Sequence, residues 1–314
     1  MAIPSDEWLA LVEREYLTSY IPAGGGAVRF VVAEEVLLPL VQLRLAAAAD
    51  AAGLHVVVID TALTKLHMLH SVFFAIAQSL DWAALTQARL ERMVAEAGYV
   101  WPLPGQRLSL AALAAANDVA PPLLRRTLQA HLTSTVWRDH GLAQDFRKAM
   151  MALLEARLAD DEGDLQSSIL DWLRGDLTSL KGVKEAQIGA RIGLHNARAM
   201  LISLCRWLRG CGVPGLLVVL DIRRLLRDRR EIAEGVAYTP AAVMACYEVI
   251  RQVIDDTEHF EGLFLAVLAD GRLVDDSMPK RGLGAYDALR LRLSNDVRPR
   301  DRDNPLAPLV VLAA

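Results

Sequence analysis

Residues 28–52 read VRFVVAEEVLLPLVQLRLAAAADAA, and the fold turns on this stretch. Val28 to Val32 is a short apolar run suited to a buried parallel strand, and Leu40 to Ala52 is an alanine- and leucine-rich stretch suited to a helix. A phosphate loop of the form G-x-x-x-x-G-K-[ST] joins a strand to a helix in this way. Its glycines let backbone N–H groups approach the phosphates, its Lys neutralises them and its Ser or Thr binds magnesium. Here those four places hold Ala33, Leu38, Pro39 and Leu40. Proline is tolerated in the first turn of a helix, where its missing N–H would have no partner anyway, so the strand-to-helix geometry survives the loss of the chemistry. A helix N-terminus attracts anions, yet Glu34 and Glu35 place two carboxylates beside this one. At ~4 Å and an effective dielectric of ~20 each charge pair is worth about 4 kcal/mol, so repulsion in place of attraction weakens triphosphate binding severely. Read without that template, the stretch is simply a strand followed by a core helix.

The 314 residues, 53% hydrophobic and 23% charged, suffice for a full core in one large or two small domains. A net charge of −4 gives no global case for nucleic acid, although Arg223, Arg224, Arg227, Arg229 and Arg230 form a local basic cluster that, with Arg125 and Arg126, is the candidate surface for a protein or DNA partner. Cys205, Cys211 and Cys246 have no metal-ligand spacing and leave one thiol over in any disulfide scheme, which suits a reducing cytoplasm. No run of about 18 apolar residues suggests a membrane span, and the acidic N-terminus does not resemble an export signal. No metal site is expected. His67 and His70 lie three apart on a helix without a third ligand at suitable spacing.

Outward from the central stretch, Ser5 or Asp6 is placed to cap a first helix, and Gly24-Gly25-Gly26 reads as an entry turn before the strand. Leu54 to Ile59, closing on Asp60, predicts a second strand, and helical spacing resumes from Leu63. Residues Leu108 to Leu132 read as helix, turn, helix, an outline shared by DNA-binding helix pairs, with Arg125 and Arg126 on the second helix; a packed helical hairpin has the same outline. Helices follow over Asp145–Ala159, Leu165–Leu173 and Asn196–Arg209, with an acidic loop at Asp160 to Asp164. The apolar run Leu216 to Leu220 closes on Asp221, as P-loop enzymes present a carboxylate to magnesium, but Ile222 stands where hydrolysing members carry Glu. Asp also opens turns at strand ends. A third such strand, Gly262 to Leu268, runs into Ala269-Asp270. An amphipathic helix over Arg281–Leu293, a charged turn at Arg298 to Asp303 and an apolar run at Leu309 to Leu312 complete the chain. Residues 1–80 and 201–314 are expected to form two parts of an α/β core, with 81–200 as a mainly helical insertion or lid.

Further motifs carry a resemblance. YIPAGGGAVRFVV (Tyr20–Val32), LTKLHMLHSVFFAIAQSL (Leu63–Leu80), ILDWLRGD (Ile169–Asp176), CRWLRGCGVPGLLVVLD (Cys205–Asp221), GLFLAVLADGRLVDD (Gly262–Asp276), RGLGAYDALRLRL (Arg281–Leu293) and NPLAPLVVL (Asn304–Leu312) occur in this order. The chain resembles the BREX-system ATP-binding protein family, the BrxD-like P-loop ATPases of the AAA type associated with bacterial phage defence. Trp172-Leu173-Arg174-Gly175 and the Arg281 to Leu289 motif are the more specific signals. The resemblance implies a P-loop NTPase, AAA-like core with a short parallel sheet covered by helices. This chain departs from it at Ala33 to Leu40, at Asp221-Ile222 and at Ala269.

The expected function is a catalytically inactive P-loop ATPase homologue, a structural or regulatory subunit of a defence complex. Its partners would be an active ATPase, a helicase, another defence subunit or DNA, and an oligomer is consistent with AAA-type side-by-side assembly. ATP and magnesium are not expected to bind well. A weak ATPase using Asp221 and a DNA-binding adaptor are the alternatives. Trp172 and Tyr286 are expected to be buried structural residues.

Overall fold

The computed structural model describes residues 2–101, 109–159, 163–278, 280–294 and 304–314. Leu108, most of the acidic loop and the charged turn at Arg298 to Asp303 lie outside the described residues. In chain order the elements are β1 (Ile3–Pro4), α1 (Ser5–Val12), β2 (Ala27–Val32), α2 (Leu38–Ala51), β3 (His55–Ile59), α3 (Leu69–Ser79), α4 (Trp82–Glu96), α5 (Leu110–Ala116), α6 (Pro121–Leu132), α7 (Gln144–Ala159), α8 (Asp164–Arg174), α9 (Ala197–Gly210), β4 (Leu216–Asp221), α10 (Arg223–Leu226), α11 (Pro240–Asp255), β5 (Leu263–Ala269), α12 (Asp287–Leu293) and β6 (Leu309–Ala313). They group into two compact units, one of Met1–Ile76 with Val213–Ala314 and one of Ala77–Gly212.

The first unit is α/β. Its six strands are all parallel in the order β1-β6-β2-β5-β4-β3, with helices around the sheet, consistent with a P-loop NTPase-like core. Strands β4 and β5 are buried almost throughout because both faces are covered, which is why they read as unbroken apolar runs. Although β2 and β3 are consecutive around α2, they are not neighbours: β5 and β4 lie between them. This insertion sets the ends of β5 and β4 beside the loop after β2. In register, Val32 pairs with Ala269, Leu268 with Asp221 and Leu220 with Ile59.

One face of the sheet, including Val31, Leu217, Val219, Phe264 and Ala266, packs against α1 and α2. Helix α2 contributes Leu38, Val41, Leu45 and Ala49, spaced three and four apart on one side, and each larger side chain removed from water stabilises the unit by about 1.5–3 kcal/mol. Pro39 sits in its first turn. After α1 the chain continues as a π-helical segment, Glu13–Tyr20. The triglycine serves packing, since a Cβ on Gly26 would lie 2.2 Å from the Thr257 carbonyl oxygen. Gly215, entering β4, is under the same constraint from the Gly262 carbonyl at 2.7 Å.

Two helical expectations need correction. The helix expected over Arg281–Leu293 forms only from Asp287, after a short 3-10 turn at Leu283–Ala285. Arg281 faces inward, donating from Nη1 to the carbonyls of Leu225 and Tyr238 at 3.0 Å each, while the Tyr247 hydroxyl donates to the carbonyl of Arg281. The helix expected from Leu63 begins at Leu69, because Tyr238 holds the preceding turn: its hydroxyl donates to Thr64 O at 2.6 Å and accepts from Leu66 N at 3.3 Å. Tyr286 is half-buried, its hydroxyl on the Glu248 carboxylate.

The second unit is helical in its described residues. Asp81 caps α4 by accepting from Ala84 N at 2.9 Å, and Ser109 caps α5. Between α5 and α6, Asp118 takes a left-handed conformation at φ 51° and Asn117 bonds both Val100 N and O. Phe146, Met150 and Leu153 of α7 and Ile169 and Trp172 of α8 are buried. Trp172 donates from its indole to Ala190 O at 2.9 Å, so it is a core residue of this unit. All three cysteines are buried and outside any disulfide, and burial pushes the Cys211 and Cys246 thiols up to about 12.

Candidate functional site

In a parallel sheet, ligands dock at the carboxyl ends of the strands. At that edge β3, β4 and β5 each end in or beside an aspartate, Asp60, Asp221 and Asp270, while Glu34 and Glu35 follow β2. The edge is therefore acidic, and three arginines, Arg223, Arg227 and Arg272, answer it.

The loop after β2 closes on itself. Ala33 N donates to Ala269 O at 3.1 Å, and Leu37 N and Leu38 N both donate to Glu34 O, at 2.9 and 3.3 Å. Pro39 has no N–H to offer. Three of the amides that a phosphate loop would present to a ligand, those of Ala33, Leu37 and Leu38, are thus engaged by the chain's own carbonyls. Leu38, where the template has its second glycine, is 1% exposed and part of the core, and Ala33 is buried. Leu40 is exposed.

Asp221 receives the guanidinium of Arg223 in a forked contact, Nε at 3.0 Å from both oxygens and Nη2 at 2.5 Å from Oδ2. One Asp221 oxygen also accepts the backbone N–H of Arg223 at 3.1 Å. Asp270 repeats the arrangement at the end of the adjacent strand, β5: Arg272 donates from Nε at 3.0 Å and from Nη2 at 2.6 Å, and its backbone N–H at 3.0 Å. Glu35 lies between these pairs, bonded to Arg227 and 3.7 Å from Arg223 Nη1. Arg272 also reaches Glu231 at 3.8 Å. The hydrogen bond to Asp221 chiefly raises the Arg223 pKa. Burial acts to raise the Asp270 carboxyl, but bonds and charge from Arg272, with the charge of Arg223, hold it below the usual range.

Arg224 turns away from the carboxylates and donates from Nε to Val236 O at 2.6 Å and from Nη2 to Glu234 O. It thereby ties α10 to the segment that follows it, and that segment meets the loop after β3 through Val236 N, which donates to Ala62 O at 2.8 Å. Ile222 is buried and its N–H donates to Leu268 O at 2.8 Å, so no polar group occupies the position after Asp221.

The structure thus brings Glu35, Asp221, Arg223, Arg224 and Arg227 to one crevice, together with Asp60. Glu34 is exposed next to it. Arg229 and Arg230 are exposed on a short turn without ion pairs among the described residues, and Arg125 and Arg126 are exposed on α6 of the other unit. Sequence reasoning missed Asp60, Asp270, Glu231 and Arg272 as members of the edge. A signal was present: an apolar strand followed by Asp-x-Arg occurs twice, at Asp221-Ile222-Arg223 and at Asp270-Gly271-Arg272. Among the described residues no three His, Cys, Asp or Glu side chains converge to hold a metal ion. Nor is any described helix long and apolar enough to cross a membrane.

Residues 113–314 match the family model described as BREX system ATP-binding protein BrxC/D. The matched part holds β4, β5, β6 and both specific motifs, and leaves out the loop after β2. Comparison with curated proteins and with solved structures gives no match.

Proposed function

Because the chain belongs to the BREX system ATP-binding protein BrxC/D family, whose role is in phage defence, we propose that it is a non-hydrolysing member that acts as a structural or regulatory subunit through a macromolecular partner. The observation that carries this reading is the forked Arg223–Asp221 contact. A carboxylate at this strand end serves magnesium only when it is open to the metal. Here a guanidinium covers both oxygens, and each charge-assisted hydrogen bond that a metal must displace is worth about 1.5–3 kcal/mol. The closed loop at Glu34 to Leu38, the buried Leu38 and the missing Lys and glycines point the same way.

The measurement is calorimetric titration of the full chain with magnesium and ATP, alongside phosphate release. The expected result is no turnover above background and a dissociation constant weaker than about 1 mM. Saturable binding with turnover that Asp221→Ala abolishes would overturn the proposal in favour of a weak ATPase.

A DNA partner is the second reading, favoured by an observation in the helical unit. Arg125 and Arg126 on α6 have no ion pair among the described residues, and no acid occurs from Val119 to Arg138. Three of the five arginines near Asp221, Arg223, Arg224 and Arg227, are bonded internally, which leaves only Arg229 and Arg230 of that cluster facing solvent. The α5–α6 pair, with its four-residue turn, offers a second helix of 12 residues with Arg125, Arg126 and Gln129 on exposed positions.

A further inference from the structure

At the opposite, amino-terminal end of β2 lies an open cleft of about 560 Å³, within the range of small-molecule sites. Arg29 enters it from the middle of AVRFVV, a strand whose other five residues are buried. Its guanidinium stacks over Tyr16 at 4.7 Å from the ring centroid. Nη1 donates to Val28 O at 2.7 Å and Nη2 to the Tyr16 hydroxyl, while Nε is buried with no hydrogen-bond partner among the described residues. Among the described residues no carboxylate pairs with Arg29. The charged groups on the rim are already paired, Glu15 with Arg14 at 2.8 Å and Arg292 with Asp255 at 3.0 Å. A half-buried cation with an orphaned N–H and no counter-ion is costly, and the cost is relieved by an anion.

The walls define the rest of the ligand. The π-helical segment Glu13–Tyr20 sets Tyr16 and Tyr20 edge to face at 5.9 Å, and Tyr20 is 48% exposed. Ile254 and Pro308 line the other side. We propose that the cleft binds a small organic anion, its carboxylate or phosphate on Arg29 and its flat or branched apolar body between Tyr20 and the Ile254–Pro308 wall. The site lies at the other edge of the sheet from Asp221 and does not depend on the proposal above.

The test uses the full chain in calorimetric titrations with benzoate, phenyl phosphate and inorganic phosphate, the first two distinguishing carboxylate from phosphate. At least one organic anion is expected to bind with a dissociation constant at or below about 1 mM, and inorganic phosphate about tenfold more weakly. Arg29→Lys keeps the charge but loses the fork and the stacking, and should weaken the organic anion about tenfold or more. Tyr20→Ala, at an exposed position, should weaken the organic anions and leave inorganic phosphate unchanged, a result that a merely structural Arg29 would not produce. The proposal is overturned if neither organic anion binds, or if binding is the same in both variants as in the parent chain.

Discussion

Asp221→Asn separates a lock from a catalytic site, since the two readings predict opposite readouts. The substitution preserves shape but removes the charge and one acceptor oxygen beneath Arg223. Both side chains are largely shielded, 25% exposed for Asp221 and 21% for Arg223. A hydrogen bond to a charged group is worth about 1.5–3 kcal/mol. Arg223 keeps Glu35 at 3.7 Å and some access to water, so the net loss should be about 1–2 kcal/mol. In a unit of this size each kcal/mol lowers the melting temperature by about 2–4 °C, giving a fall of about 2–8 °C. Thermal unfolding followed by circular dichroism, with and without magnesium and ATP, measures the fall, and urea unfolding measures the free-energy difference. Arg223→Gln should cost a similar amount, and the double variant should show a coupling of about 1 kcal/mol, as expected for contacting partners. Unchanged stability accompanied by loss of an ATP-induced stabilisation would refute the lock.

Two further predictions follow from other groups. Hydrogen bonding from Arg251 chiefly, against the effect of burial and aided by Tyr286, holds the Glu248 carboxyl down to about 2. A depressed carboxyl stabilises the fold above its unfolded value of about 4.3, and the contribution is lost as pH falls towards the folded value. Glu248→Gln should therefore cost up to about 1 kcal/mol at neutral pH, with the difference from the parent closing between pH 4 and 2; a pH-independent difference would contradict the assignment. On the helical unit, replacing Arg125 and Arg126 together by Glu should weaken duplex DNA binding about equally on all sequences. It should flatten the plot of log affinity against log salt by about 2 in anisotropy titrations, and an unchanged slope would exclude α6 as the contact.

The strands were legible because a parallel sheet covered on both faces needs uninterrupted apolar runs, and Leu216 to Leu220 and Leu263 to Ala269 are such runs. Strand order was not legible. Nothing local in β2 or β3 says that two strands from two hundred residues further on will lie between them. Periodicity misread Arg281–Leu293 because an arginine at the start of an amphipathic pattern is scored as solvent-facing, whereas Arg281 is 7% exposed and anchors Leu225 and Tyr238. The Arg223 to Arg230 cluster was read as a surface for the same reason. Sequence shows the charges but not the Glu35 carboxylate that tertiary structure brings to Arg223 and Arg227.

The three strand-end aspartates share a role that needs no metal. Asp60 accepts Ala62 N at 2.7 Å, Asp221 accepts Arg223 N and Asp270 accepts Arg272 N, each bonding the backbone two residues on and fixing a sharp exit from the sheet. In two of the three the residue so positioned is an arginine, whose guanidinium then folds back on the same carboxylate. The turn thus delivers the counter-ion, and the acid is neutralised locally whether or not a ligand is present. The turn is a structural role for Asp221 that stands without a magnesium ion. Restoring glycine, lysine and threonine at Leu38, Pro39 and Leu40 would leave Arg223 on Asp221, and would remove a core leucine at a cost of about 2–5 kcal/mol. On the proposed non-hydrolysing reading, a nucleotide site would need changes on two strands at once, and the loop change made first would weaken the fold before any ligand is gained.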